Sequence, residues 1–251
     1  MISNQVPASR ITMMTGYLGM GTILVCYMLC VYVTKTIPPL PHIPMISDTF
    51  VPFPADIISR IGMIGTAFGL WAIQRVFIFY SDVASEGRTK CDKLYAWLGS
   101  LGAFGLMLVA ACNEREDMTI HGTGAGIFFV GQLIMMIGFT IRAFRLSHIS
   151  GSDTTRADAR FKLWTTTIAA LAGIGFLIWG SNYGKNEPKI AICEWLAVLM
   201  IMLFNGSAIP EFTSTFIAET YYPLNNAPIP PASISIDDQQ QQHTIKEVEV
   251  L

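Results

Sequence analysis

Charge is the scarcest commodity in this chain. Only 14% of its residues are Asp, Glu, Lys or Arg, against 52% hydrophobic, whereas a soluble domain carries roughly 25% charged residues. So few charges cannot coat a globule of 251 residues with water-compatible surface. The net charge of -2 provides no basic stripe that could track phosphates, which excludes nucleic acid as a partner. Metal-ligand spacing is missing too. Cys26, Cys30, Cys91, Cys112 and Cys193 form no CxxC pair, and His42, His121, His148 and His243 are scattered. No metal site is therefore expected. No GxSxG, HExxH or comparable catalytic motif occurs, and nothing implies a cofactor.

What the chain does have is long apolar stretches. Six run at about 12–34, 60–80, 93–112, 120–144, 163–183 and 191–219. Each is near the ~20 residues that a helix needs to cross a hydrocarbon core of ~30 Å. Backbone groups find no water in lipid, so helices are the expected form. A β-barrel would alternate every second residue, and these stretches do not. The large core of a soluble protein would leave a polar stripe on each helix, and 101–111 and 127–141 show almost none. The first stretch is too long for the h-region of a signal peptide, and Lys35-Thr36-Ile37-Pro38-Pro39 follows it in place of a cleavage site. The expectation is an all-α polytopic membrane protein, with six transmembrane helices in one bundle over residues 1–220.

Lys and Arg positions give the direction. With six spans, one side holds Arg10, Arg88, Lys90, Lys93, Arg142, Arg145, Arg156, Arg160, Lys162 and Lys246. The other holds Lys35, Arg60, Arg115, Lys185 and Lys189. Arg75 lies within the second span near its basic end, where it can snorkel. Both termini are thus predicted to be cytosolic. The fourth connection, Leu146–Phe161, is polar and basic and predicts a disordered cytosolic loop, its charges serving topology before any lipid site. Residues 221–251, with four prolines and a DDQQQQ run, predict a disordered cytosolic tail. Its last residues, Val248-Glu249-Val250-Leu251, read first as an ordinary terminus and second as a strand for a PDZ-type groove.

Polar groups beside a span are costly and become site candidates. Most fall on the luminal or exterior rim. The first loop, 35–59, contains six prolines, which exclude a regular helix. It also carries Ile43, Met45, Ile46, Phe50 and Phe53, so it is expected to fold over the helix ends. Asp48 and Asp56 come from this loop, and Arg60 opens the second span. Glu114, Arg115, Glu116 and Asp117 form the third loop, His121 opens the fourth span and Glu194 opens the sixth. In a compact bundle His121, Glu194 and Asp48 meet at one rim pocket. With Ser47 nearby such a group could serve a hydrolase, but the same residues also cap, pair and anchor helices. Cys112 and Cys193 lie near luminal span ends. A disulfide between them and two reduced thiols are equal readings. Dense glycines, such as Gly62, Gly65, Gly99, Gly102 and Gly105, favour close helix packing over a lipid groove. Asn205-Gly206-Ser207 matches a glycosylation acceptor but lies inside a span, where Asn205 is expected to bond across helices.

Three of these elements together resemble the FRAG/DRAM/SFK family of six-span membrane proteins. The first is Pro44-Met45-Ile46-Ser47-Asp48, followed by prolines and a span beginning near Arg60. The second is His121 with Phe128-Phe129. The third is Cys193-Glu194-Trp195, followed by Phe204 and then Glu211-Phe212. The resemblance covers roughly residues 10–220. It implies handling or organising membrane lipid, with autophagy, phosphoinositide-kinase regulation and remodelling of GPI-anchor lipid among the family's roles. It implies a luminal lipid-binding or structural cluster of Asp48, His121 and Glu194, with Trp195 and Arg60 beside them. The expected function is that of a non-enzymatic accessory protein. Its partners would be membrane lipids (phospholipid or sterol) and other integral membrane proteins in a complex for lipid transfer, lipid signalling or autophagy. The alternative is an enzyme, or essential cofactor, of lipid or GPI-anchor remodelling that uses the His–carboxylate cluster. The plasma membrane, endoplasmic reticulum/Golgi and lysosome are all compatible locations.

Overall fold

The computed structural model describes residues 6–39, 41–83, 90–150, 153–180, 183–207 and 216–217. Six helices account for most of them: α1 Ala8–Met28, α2 Ala55–Val83, α3 Lys90–Ala111, α4 Met118–Ser150, α5 Asp153–Gly180 and α6 Tyr183–Gly206. Each contains an apolar segment of 20 to 28 residues, enough to cross ~30 Å of hydrocarbon at ~1.5 Å per residue. The protein is an all-α, multi-pass membrane protein. Helices adjacent in sequence pack side by side, α1 closes on α6, and α4 also reaches α6.

A two-residue strand before α1, β1 (Val6–Pro7), pairs antiparallel with β2 (Phe216–Ile217) beyond α6. This pairing puts both flanking segments at the same end of the bundle, as an even number of crossings requires. The opposite end, where α1, α3 and α5 finish and α2, α4 and α6 begin, is called the rim below.

Small residues set the helix spacing. A Cβ at Gly62 of α2 would lie 2.0 Å from Thr22 Oγ1 of α1, and one at Gly105 of α3 would lie 2.6 Å from the Gly124 carbonyl oxygen of α4. Both helix pairs approach too closely for any side chain at these positions. On the outside, α5 turns Trp164, Leu171, Leu177 and Ile178 outward. Such a face is unsuited to water and ordinary against acyl chains.

Three boundaries differ from the sequence-based expectation. The second helix starts at Ala55 rather than near Arg60. Pro54 cannot donate a backbone bond, but the Pro52 and Pro54 carbonyls accept from Asp56 and Ile58 at 3.1 and 3.4 Å, so the helix forms directly behind the last proline. The sixth apolar segment starts at Glu187, before the predicted 191; of the predicted 191–219, residues 208–215 and 218–219 lie outside the described residues. Pro188 lies inside this helix, early enough to remove a single backbone bond without stopping it. The predicted disordered loop Leu146–Phe161 is instead helical, apart from residues 151–152, which lie outside the described residues. Its charges favour helix. Asp153 sits in the first turn of α5, facing the positive end of the helix dipole. Asp158 and Lys162 pair at 2.5 Å one turn apart.

Asn205 is also corrected. Its amide donates to the Ile201 carbonyl of its own helix at 2.8 Å, not across helices. The predicted tail 221–251 with Val248–Leu251, the Glu211-Phe212 pair, and Arg88 and Lys246 of the orientation count all lie outside the described residues.

Candidate functional site at the rim

The first loop enters the bundle instead of lying on it. The last turn of α1 widens into a π-helical segment, Leu29–Val33, with the Thr34 amide bonded to the Leu29 carbonyl at 2.8 Å. Lys35 then takes a φ of 54°, the left-handed turn that ends helices. After the prolines, Met45, Ile46, Ser47, Thr49 and Phe50 are buried. Ser47–Phe50 form one 3-10 turn. Two buried thiols of α1 hold this segment from below: Cys26 Sγ donates to the Ala55 carbonyl at 3.4 Å and Cys30 Sγ to the Thr49 carbonyl at 3.3 Å.

From the other side α6 grips the same segment. Glu194 Oε2 accepts the Ile46 amide at 2.7 Å, and the Ser47 amide also donates to this carboxyl. The next residue, Trp195, donates its indole N–H to the Pro44 carbonyl at 2.9 Å. Its ring meets Tyr27 of α1 edge to face at 6.2 Å. Pro44 has no N–H of its own, so the indole satisfies what that residue still offers, a carbonyl. Asp48 closes the turn by accepting the Met45 amide at 3.0 Å.

A third carboxyl joins them. Glu114, from the short α3–α4 connection, hydrogen-bonds both Asp48 and Ser47. Burial, and then the Asp48 charge, push Glu114 up to about 7. Glu194 faces the same two acids. The sequence places Glu114 on the rim but outside the cluster, because Asp48 and Ser47 lie far from it along the chain.

Arg60 belongs to a neighbouring network. Its two Nη atoms donate to the Ala111 carbonyl at 2.6 Å and to Glu116 Oε1 at 2.5 Å. The Asn113 amide bonds the other Glu116 oxygen at 3.0 Å. That backbone bond, and then Arg60, hold the Glu116 carboxyl below the usual carboxylate range. Asp117 caps α4 by accepting the Thr119 and Ile120 amides at 2.8 and 3.1 Å. Arg60 thus fixes where α4 begins, and with it His121.

His121 is buried, and its Nδ1 lies 2.9 Å from the Cys112 carbonyl. A carbonyl only accepts, so Nδ1 is a nitrogen that carries a proton here, and Nε2 is the one this bond leaves over. Among the described residues no hydrogen bond joins His121 to Asp48 or Glu194. The imidazole and the Glu194 carboxyl are instead two polar points in the wall of one cavity between α1, α2, α3, α4 and α6. Ser47 and Ile46 form its roof, and Ile23, Met63, Leu106, Phe128, Val198 and Met202 are among its apolar walls. It is open to water-sized molecules over about 50 Å³, room for a few waters or one narrow apolar group.

Cys112 and Cys193 are both free thiols. Cys193 Sγ lies against Gly175 of α5, while Cys112 sits half-buried at the end of α3 beneath His121. Among the described residues, no group of three or more His, Cys, Asp and Glu side chains is arranged to hold a metal ion.

A family description, the Frag1/DRAM/Sfk1/Cwh43P N-terminal domain, matches residues 7–215. The chain belongs to this Frag1 family. The match takes in all six helices and every rim residue named above. A Frag1-related protein, transmembrane protein 150A of Xenopus laevis, is 28% identical over 116 residues, which is 46% of this chain and 42% of that protein. The chain thus matches less than half the length of this curated relative. No solved structure matches.

Proposed function

We propose that this Frag1-family protein is a non-enzymatic membrane accessory protein that binds or organises lipid through the rim cavity. One observation carries the reading: an apolar slot between five helices is headed by two polar groups, Glu194 and His121. That division suits the boundary between a polar headgroup and an acyl chain or the edge of a sterol. The polar groups are already engaged in structure, Glu194 with loop amides and His121 through Nδ1. They are suited to positioning a ligand. The protein would act as a subunit or regulator of a larger membrane complex for lipid transfer, lipid signalling or autophagy. Both termini would be cytosolic and the rim would face the lumen or exterior of the plasma membrane, endoplasmic reticulum/Golgi or lysosome.

The test is purification of the full chain in lipid nanodiscs with identification of bound lipid and protein by mass spectrometry. A retained lipid that is lost on Val198→Trp, which fills the slot, supports the reading. Absence of both stoichiometric lipid and partner protein would refute it.

A second reading, an enzyme or essential cofactor of lipid or GPI-anchor remodelling, draws on the same wall. Ser47, His121 with its free Nε2, and Glu194 all line the cavity. His121→Ala with unchanged protein amount and unchanged cellular lipid and GPI-anchor profiles would exclude it.

A further inference from the structure

Far from the rim, Arg75 sits near the end of the apolar segment Ala55–Phe77 of α2. Trp71 stands one turn before it on α2, and Trp97 comes from the neighbouring α3. The guanidinium carbon lies 4.1 Å from the centre of the Trp97 ring and 5.2 Å from that of Trp71. Both distances are within cation–π range. The two indoles face outward, 54% and 43% exposed for Trp97 and Trp71. In a bilayer this surface meets lipid.

Among the described residues nothing neutralises the arginine. Its Nε is buried with no hydrogen-bond partner, and none of the ion pairs among the described residues includes it. A guanidinium cannot lose its proton in a protein, so the charge is permanent. A permanent cation at the edge of a membrane span is costly unless an anion meets it. Simple snorkelling would send the side chain away from the bundle into water. Here two outward-facing rings flank the guanidinium, and its two Nη groups supply a fork of the kind that fits a phosphate oxygen pair. Tryptophan is itself the residue most enriched at headgroup depth. Lys93, one turn before Trp97 on α3, adds positive charge nearby but has its own partner.

We propose that Arg75, held between Trp71 and Trp97, binds the phosphate of a phospholipid headgroup in the leaflet opposite the rim. The site shares no residue with the rim cavity, so either can fail without the other.

The experiment uses the full chain purified in a mild detergent and titrated with phosphatidylserine or phosphatidylcholine, with bound lipid counted by native mass spectrometry. Arg75→Gln is expected to weaken the tightest phosphatidylserine site about tenfold, as loss of a charge-assisted fork would. Arg75→Lys keeps the charge without the planar fork and should fall between. Trp97→Leu removes one ring and no charge, and should weaken the same site if Arg75→Gln proves unstable. Loss of both lipids on Arg75→Gln means that the phosphodiester is the feature read, and loss of phosphatidylserine alone means that the anionic headgroup also counts. Either supports the proposal. Equal binding of phosphatidylserine by wild type, Arg75→Gln and Trp97→Leu would overturn it. So would full displacement of the lipid by inorganic phosphate, which would mark a site for a free anion.

Discussion

Glu194 and Ile46 are 148 residues apart in the chain, yet Glu194 Oε2 lies 2.7 Å from the Ile46 amide. This bond, with Trp195 to Pro44, is how α6 reaches the proline-rich loop and roofs the cavity. Glu194→Ala leaves the Ile46 and Ser47 amides without that acceptor. A buried donor left unsatisfied costs roughly 1–3 kcal/mol, and a loss of that order is expected. Trp195→Phe keeps the ring and drops one neutral bond, for about 1 kcal/mol. Thermal unfolding in detergent measures both, and limited proteolysis should cut between residues 35 and 54 more readily in Glu194→Ala. Unaltered unfolding and unaltered cutting would show that the loop is held by other means.

Burial of Glu114 beside the Asp48 charge makes loop docking sensitive to pH. Glu114 is raised from an ordinary value of 4.5 to about 7. In the folded protein it holds its proton over that interval, while the unfolded chain has released it. Stability from this group is therefore full below about 4.5 and is lost as pH rises through 7. Asp48, Glu194 and Arg115 are the charged groups that face it. Glu116 runs the other way, its carboxyl lowered by the Asn113 amide and Arg60, so its contribution is present above its ordinary value and falls away in acid. The two windows do not overlap. The expected result is a melting temperature higher at pH 5.5 than at pH 8, with the difference reduced in Glu114→Gln. An undiminished difference in that variant would assign the effect to another group.

Helix spacing supplies a paired comparison on α3 and α4. A Cβ at Gly105 would sit 2.6 Å from the Gly124 carbonyl and from the Phe128 amide nitrogen, both backbone atoms that cannot step aside. Gly105→Ala should destabilise by about 1–3 kcal/mol, the usual range for overpacking. Gly122 has open space at the same point, and Gly122→Ala should be neutral or slightly stabilising, because alanine favours helix. If both variants unfold at the same temperature, the close α3–α4 contact is not what sets the spacing.

Much of this architecture was legible because hydropathy alone defines it. Six stretches of about the right length predict six helices, and the described residues contain six long enough and apolar enough to cross a membrane. The boundaries that slipped did so for local reasons. Pro188 reads as a helix stop but lies early enough in α6 to be tolerated, and residues 146–161 read as loop because charge was taken for disorder. The site was legible only as a set of candidates. Glu194 and His121 stand out as polar groups near span ends, and Trp195 through the family resemblance, yet their partners are the Ile46 amide and the Cys112 and Pro44 carbonyls. Every residue carries these backbone groups, so no side-chain pattern announces them. Arg60 was grouped with the acids, whereas it pairs with Glu116 and the end of α3. The Arg75–Trp97 contact was invisible for a related reason: it depends on which faces α2 and α3 turn toward each other.

His121 provides the sharpest check on the cavity itself. With Nδ1 donating to the Cys112 carbonyl, any lone pair the ring keeps is on Nε2, and the ring lines the cavity. Nitrogen NMR of the labelled imidazole should report the Nδ1–H tautomer at neutral pH. His121→Phe preserves the ring volume and leaves that carbonyl unpaired, which costs roughly 1–3 kcal/mol. His121→Asn offers an amide donor from a shorter side chain and should recover part of it. A ring found protonated at Nε2 instead would mean that the imidazole turns Nδ1 away from α3. The lone pair would then no longer face the cavity, and the polar head assigned to the slot would rest on Glu194 alone.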